Sequence, residues 1–280
     1  MTLGGNRAVT GVNPIDRLFG ELRSTGRKAF IPFLTAGDPD LPRTTELLAE
    51  VVRRGASLVE IGFPYSDPIA DGAVIQASYT RALARGLKTD HILSAAPQWT
   101  RAHPQTPLVA MLSCSLIHRM GSVSFLDRAG RAGFCGAIVP DLPIDESAGL
   151  AAEAKQRDFK LIQLVTPTTP RDRAARIAEQ STGFLYCVSV TGITGAREHL
   201  PEQLLEQLAW LRKQTPLPLC VGFGISKPEQ VRLLKDHADG IIVGSAIVRR
   251  LENAATRAWP EVLAEIGEFV GSLTAALQTR

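Results

Sequence analysis

Eight short apolar runs alternate with longer amphipathic stretches along 280 residues, and no Pro- or Ser-rich linker interrupts them. That alternation predicts an α/β fold, a (βα)8 TIM barrel with an N-terminal helix and extra helices after strands two and eight. The runs are apolar almost throughout, the pattern of parallel strands covered on both faces. Barrels of roughly 250 residues fold as one unit, so residues 1–280 read as a single domain with 1–12 as a flexible lead-in.

The strand runs are Ala29–Leu34, Leu58–Gly62, Leu108–Leu112, Ala137–Val139, Leu161–Leu164, Phe184–Val188, Leu219–Val221 and Gly240–Val243. Helical patterns fill the gaps at Leu41–Arg54, Thr89–Ala102, Val123–Ala132, Glu146–Gln156, Arg171–Gln180, Pro201–Gln214 and Lys227–Lys235, and a last helix runs from about Pro260 to Gln278. Pro170, Pro201 and Pro228 fall where first helical turns are expected, positions at which a missing N–H is no loss. Two connections exceed a plain strand-to-helix loop. Phe63–Gly72 leads into an extra helix over Ala73–Arg85, and Ser189–Leu200 follows strand six. A short helix over Ser245–Leu251 follows strand eight. In such barrels the loops after the strands build the active site.

Composition narrows the function. Lys and Arg number 31 against 28 Asp and Glu, a formal net charge of +3. The tightest basic clusters are pairs such as Arg53-Arg54 and Arg249-Arg250, not the stripe that nucleic acid or a membrane surface requires. The four cysteines, Cys114, Cys135, Cys187 and Cys220, form no C-x-x-C pair and sit in or beside apolar runs, which reads as buried free thiols. The five histidines lack metal-ligand spacing. No apolar run approaches the roughly 18 residues of a membrane span, and the N-terminus has no secretory h-region. The expected compartment is the cytoplasm.

Strand seven ends in Val221-Gly222-Phe223-Gly224-Ile225 and strand eight in Val243-Gly244-Ser245-Ala246. Either alone is a commonplace turn. Together, after the seventh and eighth strands, they match the recurrent phosphate site of barrels, with a helix opening at Gly244-Ser245 whose N–H groups attract a dianion. A phosphorylated small-molecule substrate is expected. Strand two, Leu58-Val59-Glu60-Ile61-Gly62, carries an ionisable residue inside an apolar run. Alternation turns Glu60 away from Val59 and Ile61 and into the barrel, where desolvation raises its pKa. The alternative is a structural glutamate paired with Arg or Lys. Asp71, eleven residues on, lies in a loop able to fold back over the barrel mouth, and two carboxylates in different surroundings can divide acid and base roles. Asp before Gly is also a common turn. Asp67, before a proline, reads as a turn or interface residue. Ser189–Arg197, with its glycines and hydroxyls, reads as a closing lid or a functionless surface loop, and Tyr186 as cavity wall or packing.

Read together, these motifs resemble the tryptophan synthase α subunit family. The resemblance lies in Phe30-Ile31-Pro32-Phe33-Leu34-Thr35-Ala36-Gly37-Asp38-Pro39, in the thirteen residues Glu60–Gly72 with Ile75-Gln76, and in Val139-Pro140-Asp141-Leu142-Pro143. It continues through Thr191-Gly192-Ile193-Thr194-Gly195, Gly222-Phe223-Gly224-Ile225-Ser226 and Gly244-Ser245-Ala246-Ile247-Val248. It implies cleavage of indole-3-glycerol phosphate to indole and glyceraldehyde 3-phosphate. It further implies Glu60 as catalytic acid/base, Asp71 as the second catalytic carboxylate and Tyr186 as a tyrosine beside them. Thr194 matches the lid threonine, Gly195, Gly224, Gly244 and Ser245 the phosphate cradle, and Phe33 and Phe223 the walls of the indole pocket. No metal or organic cofactor is implied, and the implied partner is a β subunit in an α2β2 assembly.

One segment departs from the family pattern. After strand three the family commonly has Met-Thr-Tyr-Tyr-Asn-Pro-Ile, whereas this chain has Met111-Leu112-Ser113-Cys114-Ser115-Leu116-Ile117. Ser113 and Ser115 replace the tyrosine and asparagine of a stretch that borders both the active site and the β contact. A free-standing indole-3-glycerol phosphate lyase of a specialised pathway and a non-catalytic activating subunit are the alternatives; intact Glu60, Asp71 and Thr194 speak against the second.

Overall fold

The computed structural model describes residues 11–68, 71–189, 201–222 and 224–278. Residues 1–10 of the expected lead-in, most of the strand-six loop, and Phe223 lie outside them. Eight parallel strands pair in sequence order and close into a barrel: β1 (Ala29–Thr35), β2 (Val59–Gly62), β3 (Leu108–Met111), β4 (Phe134–Ile138), β5 (Lys160–Val165), β6 (Leu185–Val188), β7 (Leu219–Gly222) and β8 (Gly240–Val243). β1 closes on β8 through Ala29 opposite Gly240 to Pro32 opposite Val243.

Strand alternation sorts the apolar residues into two layers. Phe30, Leu34, Val59, Ile61, Ala110 and Val221 pack outward against the helices. Ile31, Phe33, Val109, Ile138, Ile162 and Cys220 fill the barrel interior. The interior would open to water at the amino ends of the strands, and α1 (Pro14–Ser24) closes it there. Ile15, Phe19 and Leu22 of α1 join the interior layer. Asn13 anchors this helix: its Oδ1 accepts from the Ile15 N–H at 2.9 Å, and its Nδ2 donates to the carbonyls of Cys135 (3.2 Å) and Asp158 (2.6 Å).

The outer ring comprises α2 (Leu41–Arg53), α3 (Ala73–Ala84), α4 (Thr89–Ala102), α5 (Cys114–Met120), α6 (Ser122–Ala132), α7 (Ala148–Gln156), α8 (Arg171–Gln180), α9 (Glu202–Gln214), α10 (Pro228–Leu234), α11 (Ser245–Leu251) and α12 (Trp259–Gln278). The extra helices expected after strands two and eight are α3 and α11. Two features differ from expectation. β4 begins at Phe134, three residues before the expected Ala137, because Gly136 is not a turn here: a Cβ on it would meet the Lys160 carbonyl oxygen at 2.7 Å and Ile15 Cδ1 at 3.2 Å. Glycine lets α1 press against the sheet at that point. The second is α5, a seven-residue helix after strand three. Ser113 caps it, its Oγ accepting from the Leu116 N–H at 3.3 Å, and Gly121 ends it at φ 78°. Among the described residues no helix is long and apolar enough to cross a membrane.

Candidate active site

A cavity partly open to solvent lies at the carboxyl ends of the strands, the end at which barrels of this kind build their sites. Phe33, Glu60, Asp71, Tyr186, Gly224, Gly244 and Ser245 all line it, so seven of the ten expected site residues converge from β1, β2, β6 and the loops after β2, β7 and β8. Thr194, Gly195 and Phe223 lie outside the described residues. Met111, Ile75, Gly72 and Ile242 also line the cavity, none of them among the expected site residues. Met111 follows the inward-facing Val109 by two positions, so alternation alone would have found it.

Glu60 sits opposite Phe33 of β1 and Val109 of β3 and is 0% exposed. Neither of its carboxyl oxygens has a hydrogen-bond partner among the described residues, so the alternative of a structural pair with Arg or Lys does not apply there. Burial alone pushes its pKa up from the ordinary 4.5 to about 8, because an ionised carboxyl in an apolar barrel forfeits its hydration. Glu60 therefore holds a proton at neutral pH while facing the cavity.

Asp71 lies at the end of the loop after β2. Its N–H donates to the Pro68 carbonyl at 3.1 Å, and α3 begins two residues later, capped by Gly72. Burial pushes the Asp71 carboxyl up to about 6, with the neighbouring charge of Asp141 adding to that and a hydrogen bond from Tyr65 opposing it. The two carboxyls thus differ: at neutral pH Asp71 is mostly ionised and Glu60 is mostly protonated. Asp67 is exposed and lies outside the cavity lining, its Oδ2 accepting from the Ser66 hydroxyl at 2.7 Å.

Glycines shape the walls. A Cβ on Gly222 would fall 2.4 Å from the Tyr186 hydroxyl, and one on Gly62 would fall 2.4 Å from Phe33 Cζ. Both aromatic rings therefore occupy space that any side chain would deny them. Gly224 has φ 74°, a conformation that L side chains rarely adopt. After β8 the N–H groups of Ile247 and Val248 turn back to the Gly244 carbonyl, and those of Ser245 and Ala246 precede them at the helix start, where N–H groups lack intrahelical acceptors. Tyr186 is 4% exposed; burial raises its hydroxyl pKa, and the nearby charges of Glu60 and Asp71 add to that. Ser113 and Ser115 bond to each other at 2.7 Å and the Cys114 N–H donates to Asp141 Oδ1 at 2.8 Å. Neither serine lines the cavity; Ser113 serves the start of α5.

Residues 19–278 match the family model described as tryptophan synthase alpha chain. The tryptophan synthase alpha chain of Rhodopirellula baltica is 49% identical over 276 residues, covering 95% of this chain and 99% of that one. That of Synechococcus elongatus is 48% identical over 239 residues, 85% of this chain and 90% of the relative. Among solved structures, tryptophan synthase subunit alpha from Legionella pneumophila superposes with a TM-score of 0.87 at 32% identity, covering 95% of this chain and 99% of that one. A chain of the tryptophan synthase a2b2 complex from Pyrococcus furiosus gives 0.82 at 36% identity, with 89% and 99% covered.

Proposed function

The chain belongs to the tryptophan synthase alpha chain family, lyases of tryptophan biosynthesis that cleave indole-3-glycerol phosphate, and we propose that Glu60 and Asp71 carry that cleavage here. The observation that supports this most is the buried carboxyl of Glu60, without a hydrogen-bond partner among the described residues, on the wall of a cavity it shares with Asp71.

The bond from indole C3 to the glycerol phosphate chain cannot break while the ring is aromatic, because the departing electron pair has no acceptor. Glu60 is protonated at neutral pH and donates its proton to C3, giving an indoleninium ion. The positive charge on the ring nitrogen is met by the ionised Asp71, whose burial weakens the screening of the pair by water. Glu60, now a carboxylate, takes the proton from the side-chain hydroxyl. The carbon–carbon bond then breaks, its electrons return to the ring, and indole and glyceraldehyde 3-phosphate leave with Glu60 again protonated. Tyr186 walls the reacting centre. Phe33 and Phe223 flank the indole ring, and Gly195, Gly224, Gly244 and Ser245 cradle the phosphate. Thr194 is assigned, on the family resemblance alone, the role of the threonine that helps hold the aspartate.

The related chain from Pyrococcus furiosus comes from an a2b2 complex, and a β subunit is the proposed partner here, in the cytoplasm. The test is indole release from indole-3-glycerol phosphate by the purified chain, alone and with a tryptophan synthase β subunit. Slow release strongly accelerated by β supports the biosynthetic reading. Fast release indifferent to β means a free-standing lyase, and no release under either condition overturns the substrate.

A further inference from the structure

A carboxylate on a loop keeps its rotameric freedom unless contacts remove it, and Asp71 is held at both ends. Gln76 Nε2, on the first turn of α3, donates to the Asp71 carbonyl at 2.7 Å and to the Pro68 carbonyl at 3.1 Å, fixing the main chain. The Tyr65 hydroxyl donates to Asp71 Oδ2 at 3.3 Å, fixing the carboxyl. Among the described residues Tyr65 is the one side chain that donates to this carboxylate. Its own position is set by packing: its ring lies 5.6 Å from that of Tyr79, centroid to centroid. Tyr79 is 1% exposed, with its hydroxyl over Gly62 beside the ring of Phe33. A line of contacts therefore runs from the cavity wall at Phe33 through Tyr79 and Tyr65 to Asp71.

We propose that Tyr65 is a positioning residue for the cleavage: its hydroxyl pins one oxygen of Asp71 and leaves the other to meet the ring nitrogen of the substrate. This rests on the reading of Asp71 as the carboxylate that stabilises the indoleninium charge. Among the described residues the groups facing Asp71 are Tyr65 from its own loop, Tyr79 from α3, Tyr186 from β6, Glu60 from β2 and Asp141 from the loop after β4. No Lys, Arg or His is among them. A neutral donor is then the means available for favouring the ionised form against burial and the charge of Asp141.

Tyr65→Phe keeps the ring and its packing on Tyr79 and deletes the donor alone. Losing a hydrogen bond to a charged group changes the ionisation equilibrium about tenfold, or about one pH unit. The experiment is the pH profile of indole release from indole-3-glycerol phosphate by Tyr65→Phe, with the Asp71 carboxyl followed by 13C NMR in the full chain and Asp71→Asn assayed beside it. The acidic limb and the Asp71 titration are expected to rise together by about one unit, with kcat down about tenfold and KM changed by less than about twofold. A folded Tyr65→Phe chain with an unmoved limb and titration, while Asp71→Asn is inactive, would overturn the positioning role alone. Full turnover in Asp71→Asn would instead overturn the reading of Asp71, and the proposal with it.

Discussion

Glu60→Gln should make the protein more stable, by an amount that grows with pH. The folded chain holds the Glu60 proton up to about pH 8, whereas an ordinary glutamate releases it near 4.5. Below pH 4.5 both folded and unfolded chains are protonated, and the shift contributes nothing. Above it the unfolded chain ionises first, which favours unfolding, so stability falls as pH rises, by about 1.4 kcal/mol per unit, until the folded carboxyl ionises too. The loss is about 2 kcal/mol at pH 6 and approaches about 5 kcal/mol above pH 8, a large part of the roughly 5–15 kcal/mol that holds a typical domain together. Glutamine does not titrate, and any cost of burying its amide is the same at every pH. Urea unfolding of both proteins between pH 5 and 8.5 reads the difference directly. The advantage of Glu60→Gln is expected to widen by about 4 kcal/mol across that range. A difference that stays flat would mean that Glu60 ionises at its ordinary pH in the folded chain, and its service as an acid at neutral pH would lose its basis.

Two further outcomes follow from the geometry. A Cβ on Gly244 meets nothing nearer than Phe33 Cβ at 3.4 Å, so Gly244→Ala should retain substrate affinity. Gly244→Asp sets a carboxylate against the phosphate and should raise KM by about tenfold or more; equal KM values in the two variants would refute the placement of the phosphate. Arg81 of α3 holds Asp38, which is 1% exposed, through Nε at 3.0 Å and Nη2 at 2.7 Å. Arg81→Met strands that buried carboxylate, and a stability loss of about 3 kcal/mol is expected in urea unfolding at pH 7. Less than about 1 kcal/mol would show that water reaches Asp38 in its place.

The barrel was legible because its strands are buried on both sides and so stand out as apolar runs between amphipathic helices. Legibility failed where one residue type serves two purposes. Gly136 has the composition of a turn, yet it lies within β4 to admit Ile15 and the Lys160 carbonyl. The segment of α5 is only seven residues long, too short for a helical period to declare itself, although Ser113 is an ordinary N-cap. In the site, Glu60 was conspicuous as a charge in an apolar strand, and alternation gave its direction. Asp71 and Tyr186 owed their assignment to the family resemblance, since a carboxylate before a glycine and a tyrosine on a strand have commoner explanations. The Tyr65–Asp71 contact was beyond the sequence altogether, because it depends on how the loop after β2 folds back against α3.

The most direct measurement is indole release from indole-3-glycerol phosphate by the wild-type chain and by Glu60→Gln, each shown to be folded, in the presence of a tryptophan synthase β subunit. Wild type should release indole and Glu60→Gln should release essentially none, since glutamine has no proton to give to C3 and no base to take one from the hydroxyl. Substantial turnover by a folded Glu60→Gln chain would contradict the central role given to Glu60.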